Sequence, residues 1–188
     1  MTRVRLRPKH SDAELARIYA TPHNHTRWAD HLVRVRVTAE LAQWVIDQHG
    51  CTSAADLSCG DGAILESLRG VTKSFGDYAP GYLHVGPIEE TLEELGGVDL
   101  FICSETIEHL DDPDAVLRRI HGRAHHLIVS TPIDEADDGN PEHYWGWGVD
   151  DVKAMLRGAG WEPHSTIELK LRPHFTYDYQ IHACWRSR

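Results

Sequence analysis

The stretch Ala54-Ala55-Asp56-Leu57-Ser58-Cys59-Gly60-Asp61-Gly62, followed by Ala63-Ile64-Leu65-Glu66-Ser67-Leu68, decides how this 188-residue chain is read. A short apolar strand runs into a glycine turn, and the turn opens a helix. Such a turn lets the backbone approach a bound nucleotide, because no side chain stands between them. Glycine turns also serve ordinary strand-to-helix connections, so the weight falls on the later residues and their distances from the turn.

Beyond the turn, the chain alternates. Strands are predicted at residues 54–58, 71–76, 82–85 (a weak one), 98–103 and 126–130, with two late strands at 165–171 and 177–185. Helices are predicted at 63–68, 89–95, 113–120 and 149–158. Upstream, Ser11 with Glu14 three positions later marks a capped helix running to about residue 19 or 20. After a break at Thr21-Pro22, a longer helix places Trp28, Leu32, Val35, Leu41, Trp44 and Val45 at helical spacing and ends near His49-Gly50. Residues 1–50 therefore read as a helical extension and 51–188 as one compact unit.

Apolar strands alternating with helices predict an α/β fold, a doubly wound and mostly parallel sheet covered on both faces. Ligands of such sheets bind beyond the C-terminal strand ends. That rule gathers the glycine turn, Asp77, Gly86-Pro87-Ile88 and Ser104-Glu105 along one edge. Asp77 stands about 20 positions after Asp56, where a carboxylate can accept hydrogen bonds from both ribose hydroxyls. Asp61 inside the turn would repel a pyrophosphate at close range. Asp56 and Asp61 suit a ligand with an ammonium group and no phosphate, and S-adenosylmethionine has both an amino-acid end and a ribose.

At this point the chain resembles the class I S-adenosylmethionine-dependent methyltransferases. Asp56-Leu57-Ser58-Cys59-Gly60-Asp61-Gly62 is similar to that family's first motif, DLGCGDG. The segment from Ser104 to Pro113, with Glu105, Glu108 and His109, is similar to ubiquinone-biosynthesis-like small-molecule O-methyltransferases. Ser130-Thr131-Pro132, Asn140-Pro141-Glu142-His143 and Ala159-Gly160-Trp161 continue the likeness over residues 50–185. The resemblance implies a Rossmann-like sheet of seven strands, the last one antiparallel, with an N-terminal helical lid. It implies that the turn Ser58-Cys59-Gly60 with Gly62 packs against the methionyl part, Asp77 binds the ribose and Ile88 packs on the adenine. Ser104 and Glu105 then lie beside the transferred methyl, and Asp56, Tyr78 and Pro87 complete the expected cofactor-binding set.

Three departures from the family pattern stand out. Ser58 replaces a glycine, Pro87 stands where an acidic adenine contact is common, and 77–82 is too short for a helix between the second and third strands. The domain is thus expected to be trimmed, which leaves room for closure by a second copy in a homodimer, or for weak cofactor affinity.

Methyl transfer depends on alignment of nucleophile, methyl and sulfur, and needs a base only when the acceptor must lose a proton. His109 is the candidate base, with Glu108 orienting it or touching substrate. Tyr19, His23, His25 and Trp28, in a cluster that includes Arg27 and His31, are candidates to line the acceptor site. The loop holding His143, Tyr144 and Trp145 is the second candidate, its aromatics either exposed toward a flat or apolar acceptor or buried against the lid.

Composition narrows the alternatives. A net charge of −10 disfavours nucleic acid as a partner. Ser104-Glu105-Thr106-Ile107 also lacks the Asp/Asn-Pro-Pro-aromatic signature of base amino methylation. No apolar run reaches the roughly 20 residues of a membrane span, and no apolar stretch follows the basic start, so a cytoplasmic protein is expected. The arm Arg3-Val4-Arg5-Leu6-Arg7 reads as a solvated, frayed end. The four cysteines form no CxxC pair, and Cys59 and Cys103, at predicted strand ends, read as small buried hydrophobes. The 14 histidines show no HExxH pattern, so they read as surface residues and no metal site is expected. The expected function is methyl transfer from S-adenosylmethionine to oxygen or nitrogen of a small molecule. A non-catalytic S-adenosylmethionine sensor or scaffold is the alternative, and a nucleic-acid or protein methyltransferase a more distant one.

Overall fold

The run Val98–Ser104 is apolar on both sides because both of its faces are covered, and the sheet grows outward from it. The computed structural model describes residues 3–24, 27–133 and 138–187. Its elements are β1 (Val4–Arg5), α1 (Asp12–Ile18), α2 (Ala29–His49), β2 (Ser53–Asp56), α3 (Ala63–Ser67), β3 (Thr72–Asp77), β4 (His84–Val85), α4 (Ile88–Glu94) and β5 (Val98–Ser104). After a 3-10 turn at Ile107–His109 come α5 (Pro113–His121), β6 (Ala124–Pro132), β7 (Trp145–Gly146), α6 (Val149–Gly158), β8 (Trp161–Leu169) and β9 (Tyr179–Arg186).

Seven strands form one sheet in the order β4-β3-β2-β5-β6-β9-β8. Neighbours from β4 to β6 are parallel, and β9 runs antiparallel between β6 and β8. Along β5, Leu100 and Ile102 join Ala42, Val45, Ile64 and Leu65 of α2 and α3 on one face. Phe101 and Cys103 join Leu92, Val116, Leu117, Val152 and Leu156 of α4, α5 and α6 on the other. The period-two alternation of a strand thus feeds two separate cores. All four cysteines are free and buried. Among the described residues no helix is long and apolar enough to cross a membrane.

Between Asp77 and His84 the chain makes only bends, and β4 is a two-residue edge strand beside Leu83, which is 80% exposed. This is the trimming expected from the short 77–82 segment. Gly76 explains how the trimmed edge closes: a Cβ there would sit 2.8 Å from Leu57 Cδ2 and 2.9 Å from His84 Cβ. Only a bare backbone lets β3 approach both the glycine turn and β4.

Other expectations are corrected. β8 starts at Trp161 rather than 165, because Trp161 is buried and its Nε1 donates to Leu117 O at 3.1 Å. A register shift between Pro163 and Ser165 hides the alternation from the sequence, and Pro163 is tolerated because β8 is an edge strand. The basic arm is docked, not frayed: β1 pairs with β7, and Arg5 reaches Asp111 at 2.5 Å. The Arg3 guanidinium lies 4.1 Å from the centre of the Trp145 ring. A two-residue strand carries no periodic signal to read. The surface reading of the histidines fails for His84, His143 and His182, which are buried. Each imidazole is accommodated by a partner, as with His182 between Thr166 Oγ1 at 3.0 Å and Gln180 Oε1 at 2.8 Å.

Candidate functional site

The glycine turn is held by its own backbone. Cys59 N donates to Gly76 O at 3.0 Å, and Gly60, at φ 57°, turns its N–H onto Asp77 Oδ2 at 2.8 Å. Ala79 N donates to the other Asp77 oxygen at 2.9 Å. Each carboxylate oxygen retains lone-pair capacity beyond one N–H. Burial pushes the Asp77 pKa up, while the Ala79 and Gly60 amides pull against it. Behind the turn, Asp56 accepts from Ser58 N at 3.0 Å, and its burial raises its pKa to about 7. Ser58, the departure from glycine, bridges to Thr106 Oγ1 at 2.7 Å. Asp61 Oδ1 accepts from Ala63 N at 3.2 Å, at the start of α3.

A cavity of about 380 Å³ opens beyond the ends of β2, β3, β4 and β5, under α1 and the start of α2. Of the expected cofactor residues, Ser58, Gly60, Asp77, Tyr78, Pro87, Ile88, Ser104 and Glu105 line it. Asp56, Cys59 and Gly62 support it from behind without lining it. Of the expected acceptor residues, Tyr19, His23, Trp28 and His143 line it, whereas Tyr144 and Trp145 do not. Tyr144 is buried, its hydroxyl accepting from His10 N at 3.1 Å, and Trp145 Nε1 donates to Leu110 O at 2.8 Å. Of the two arrangements open to these aromatics, Tyr144 and Trp145 take the packed one, against the N-terminal arm and the segment around Leu110. His25 lies outside the described residues.

The 3-10 turn after β5 carries Glu108 and His109 in opposite senses: His109 lines the cavity and Glu108 is sealed behind it. His109 Nδ1 meets Glu142 O at 3.0 Å and Tyr19 Oη at 3.4 Å. Its ring stands edge-on to His143, centroids 4.7 Å apart. Burial, reinforced by His143, holds the His109 pKa well below the usual imidazole range. Glu108 Oε2 accepts from Thr131 Oγ1 at 3.0 Å, and Thr131 in turn accepts from Trp147 Nε1 at 3.1 Å. Burial and the Glu105 carboxylate push the Glu108 pKa well up. Glu105 itself sits at φ 53°, the one described non-glycine residue with a positive φ, so the end of β5 is strained where it meets the cavity. Glu108, His109 and His143 each offer a ligand atom, all within 4.8 Å of one another, and are the residues that could hold a metal.

Two site residues escaped the sequence reading. Arg34 is fully buried, donates to Ser104 Oγ at 2.5 Å and stands 3.9 Å from Glu105 Oε1, yet its Nε and Nη2 have no hydrogen-bond partner. The signal was available: Asp30, Arg34 and Thr38 fall at i, i+4, i+8 on the same buried face as Ala42 and Val45. Asp138, which pairs with His143 Nδ1 and accepts from Tyr177 Oη at 3.2 Å, had none, because its partners are supplied by loop geometry.

No family model and no curated protein sequence matches this chain. Solved structures do match it in fold. The Burkholderia thailandensis 1,6-didemethyltoxoflavin-N1-methyltransferase, solved with its substrate and S-adenosylhomocysteine, superposes with a TM-score of 0.66 at 15% identity, over 97% of this chain and 93% of that one. The magnesium protoporphyrin IX methyltransferase of Synechocystis PCC 6803, with S-adenosylhomocysteine bound, gives 0.64 at 15% identity, over 93% and 94%. The cyclase SpnF gives 0.62 at 12% identity, over 90% and 87%. The fold is therefore that of the S-adenosylmethionine-dependent methyltransferases, and one such fold carries a cyclase.

Proposed function

We propose that this protein binds S-adenosylmethionine and transfers its methyl group to an oxygen or nitrogen of a small-molecule acceptor. One observation carries the reading: the Gly60–Asp77 clamp and the His109–His143 pair open into a single cavity. The residues present fit the cofactor. Asp77 keeps acceptor capacity for a ribose diol, and the left-handed turn at Gly60 brings backbone close to the methionyl portion. The unpartnered Arg34 Nη2 suits the cofactor's carboxylate. Ile88 offers a packing surface for adenine, and Pro87 offers it no hydrogen bond from a side chain.

The cofactor supplies a methyl group already activated on a sulfonium. The protein's part is alignment: Ser104 and Glu105, fixed by Arg34 and Ser130, border the place where methyl and acceptor meet. His109, held neutral by its burial, can take a proton from an acceptor that must lose one. Calorimetric titration with S-adenosylmethionine and S-adenosylhomocysteine tests the first half. No heat at millimolar ligand refutes it. Methyl transfer to an acceptor library tests the second. The absent acidic contact at Pro87 favours one alternative, a cofactor-binding sensor, which tight binding without turnover on any acceptor would support.

A further inference from the structure

Arg3, Arg5 and Arg7 recur at the two-residue period of an extended chain, yet they serve different neighbours. Arg3 and Arg5 anchor the arm, pairing with Asp114 and Asp111 and covering the Trp145 ring. Arg7 holds main chain instead. Its Nη1 donates to Asn140 O and to His143 O, the latter at 2.7 Å, and its Nη2 donates to Asp138 O. Arg5 Nε donates to Arg7 O at 2.7 Å, which ties the anchor to this clamp.

Residues 138–144 form neither helix nor strand, so their carbonyls need partners from other segments. The arm supplies them. Besides the three carbonyls on Arg7, Tyr144 O accepts from Leu6 N at 2.8 Å, and Pro141 O faces His10 Nε2 at 3.1 Å. While these carbonyls turn to the arm, Asn140, Glu142 and His143 line the cavity. Glu142 O is taken from the cavity side, by His109 Nδ1 at 3.0 Å. A carbonyl only accepts, so this contact keeps a proton on Nδ1 and leaves Nε2 as the nitrogen that can take one.

We propose that Arg7 is a positioning residue for the methyl acceptor. It does not line the cavity. It acts through the loop, whose wall it holds in place and whose Glu142 carbonyl it keeps against His109. Three carbonyls in fixed directions match the planar guanidinium with its five N–H donors, whereas a lysine ammonium offers three donors from one point. The inference rests on the methyltransferase reading, in which the cofactor is held by other elements, the ends of β2, β3 and β4 together with Arg34. Loss of Arg7 therefore loosens the acceptor wall and spares the cofactor clamp.

The test compares wild type with Arg7→Lys and Arg7→Ala, each checked for folding by far-ultraviolet circular dichroism. In Arg7→Ala, amide hydrogen exchange across residues 138–146 is expected to accelerate by about tenfold or more, the equivalent of one hydrogen bond to a charged group. The Gly60 and Ala79 amides and the S-adenosylhomocysteine affinity are expected to stay as in wild type. Nitrogen-15 NMR of the imidazoles at neutral pH should show the Nδ1–H form of His109 in wild type and a shift toward the Nε2–H form in Arg7→Ala, a change that general loss of stability does not produce. With an acceptor that the wild type methylates, the acceptor KM should rise by about tenfold or more in Arg7→Ala, and added guanidinium should lower it again. The KM for S-adenosylmethionine should hold, and Arg7→Lys should fall between the other two proteins. Unchanged exchange with an unchanged His109 tautomer in folded Arg7→Ala overturns the proposal. So does an acceptor KM that stays at the wild-type value, or one that rises together with the KM for S-adenosylmethionine. Wild-type protein that binds no S-adenosylhomocysteine refutes the methyltransferase reading instead, and the exchange and tautomer measurements then still decide whether Arg7 holds the loop.

Discussion

Replacing Asp77 by alanine probes the cofactor clamp at its centre. In the structure this carboxylate takes Gly60 N at 2.8 Å and Ala79 N at 2.9 Å, and it lies at the rim of the cavity where the cofactor ribose would sit. A ribose diol adds two hydrogen bonds to a charged acceptor. Each such bond contributes roughly 1.5–3 kcal/mol, so about 3–6 kcal/mol is lost with the carboxylate. At 1.4 kcal/mol per decade, S-adenosylhomocysteine affinity falls by about 10²–10⁴. The substitution also strips the Gly60 and Ala79 amides of their partner, so the turn loosens in the same direction. Asp77→Asn separates the contributions: it retains the side chain's shape, but its NH₂ faces one of the two amides and removes the charge. It is expected to fall between wild type and Asp77→Ala. The assay is isothermal titration with S-adenosylhomocysteine, alongside thermal unfolding of the ligand-free proteins. An Asp77→Ala Kd within threefold of wild type, in a protein that melts cooperatively, would refute the ribose assignment.

Arg34→Gln is expected to weaken S-adenosylhomocysteine about 10–100-fold while leaving methylthioadenosine, which lacks the carboxylate, unaffected. Equal weakening of both ligands would remove Arg34 from the carboxylate. Gly76→Ala forces a Cβ to 2.8 Å from Leu57 Cδ2, and overpacking of this kind costs about 1–3 kcal/mol. Urea unfolding should show it, and an unchanged midpoint would mean that the β3–β4 contact is slack. His182 supplies a pH dependence. Burial lowers its folded pKa to about 4 from 6.5, with Lys153 acting in the same direction. The unfolded chain therefore binds more protons between those values, and stability falls as pH drops from 6.5 toward 4. From pH 7 to pH 5 that loss is about 2 kcal/mol. His182→Gln, which does not titrate, should lose that much less over the same interval, and identical losses would contradict the reading.

Much of the scaffold is written locally. Ser11 and Glu14 form the reciprocal cap that their spacing announces, Gly50 closes α2 in the left-handed conformation, and the two-sided apolar run of β5 marks the centre of the sheet. These features depend on neighbours a few residues apart, so periodicity and capping chemistry reveal them. The order of motifs also placed Ser58, Gly60, Asp77, Ile88, Ser104 and Glu105 on one edge, because strand polarity in a parallel sheet puts every such turn on the same side.

The chemistry at the far end of the cavity was decided by tertiary structure. Tyr144, Trp145 and His143 are adjacent in sequence, yet only His143 faces the cavity, because Tyr144 and Trp145 are claimed by the N-terminal arm and the segment around Leu110. Glu108 and His109 are also neighbours, and a 3-10 turn sends one into the wall and the other into the cavity. The approach of His143 to both, the unpartnered Glu108 oxygen and the fully buried Arg34 all depend on contacts between segments far apart in the chain. Local patterning encodes which residues become strand ends and caps. Which polar groups are left without water or partners depends on long-range packing, and that is where the site's chemistry resides.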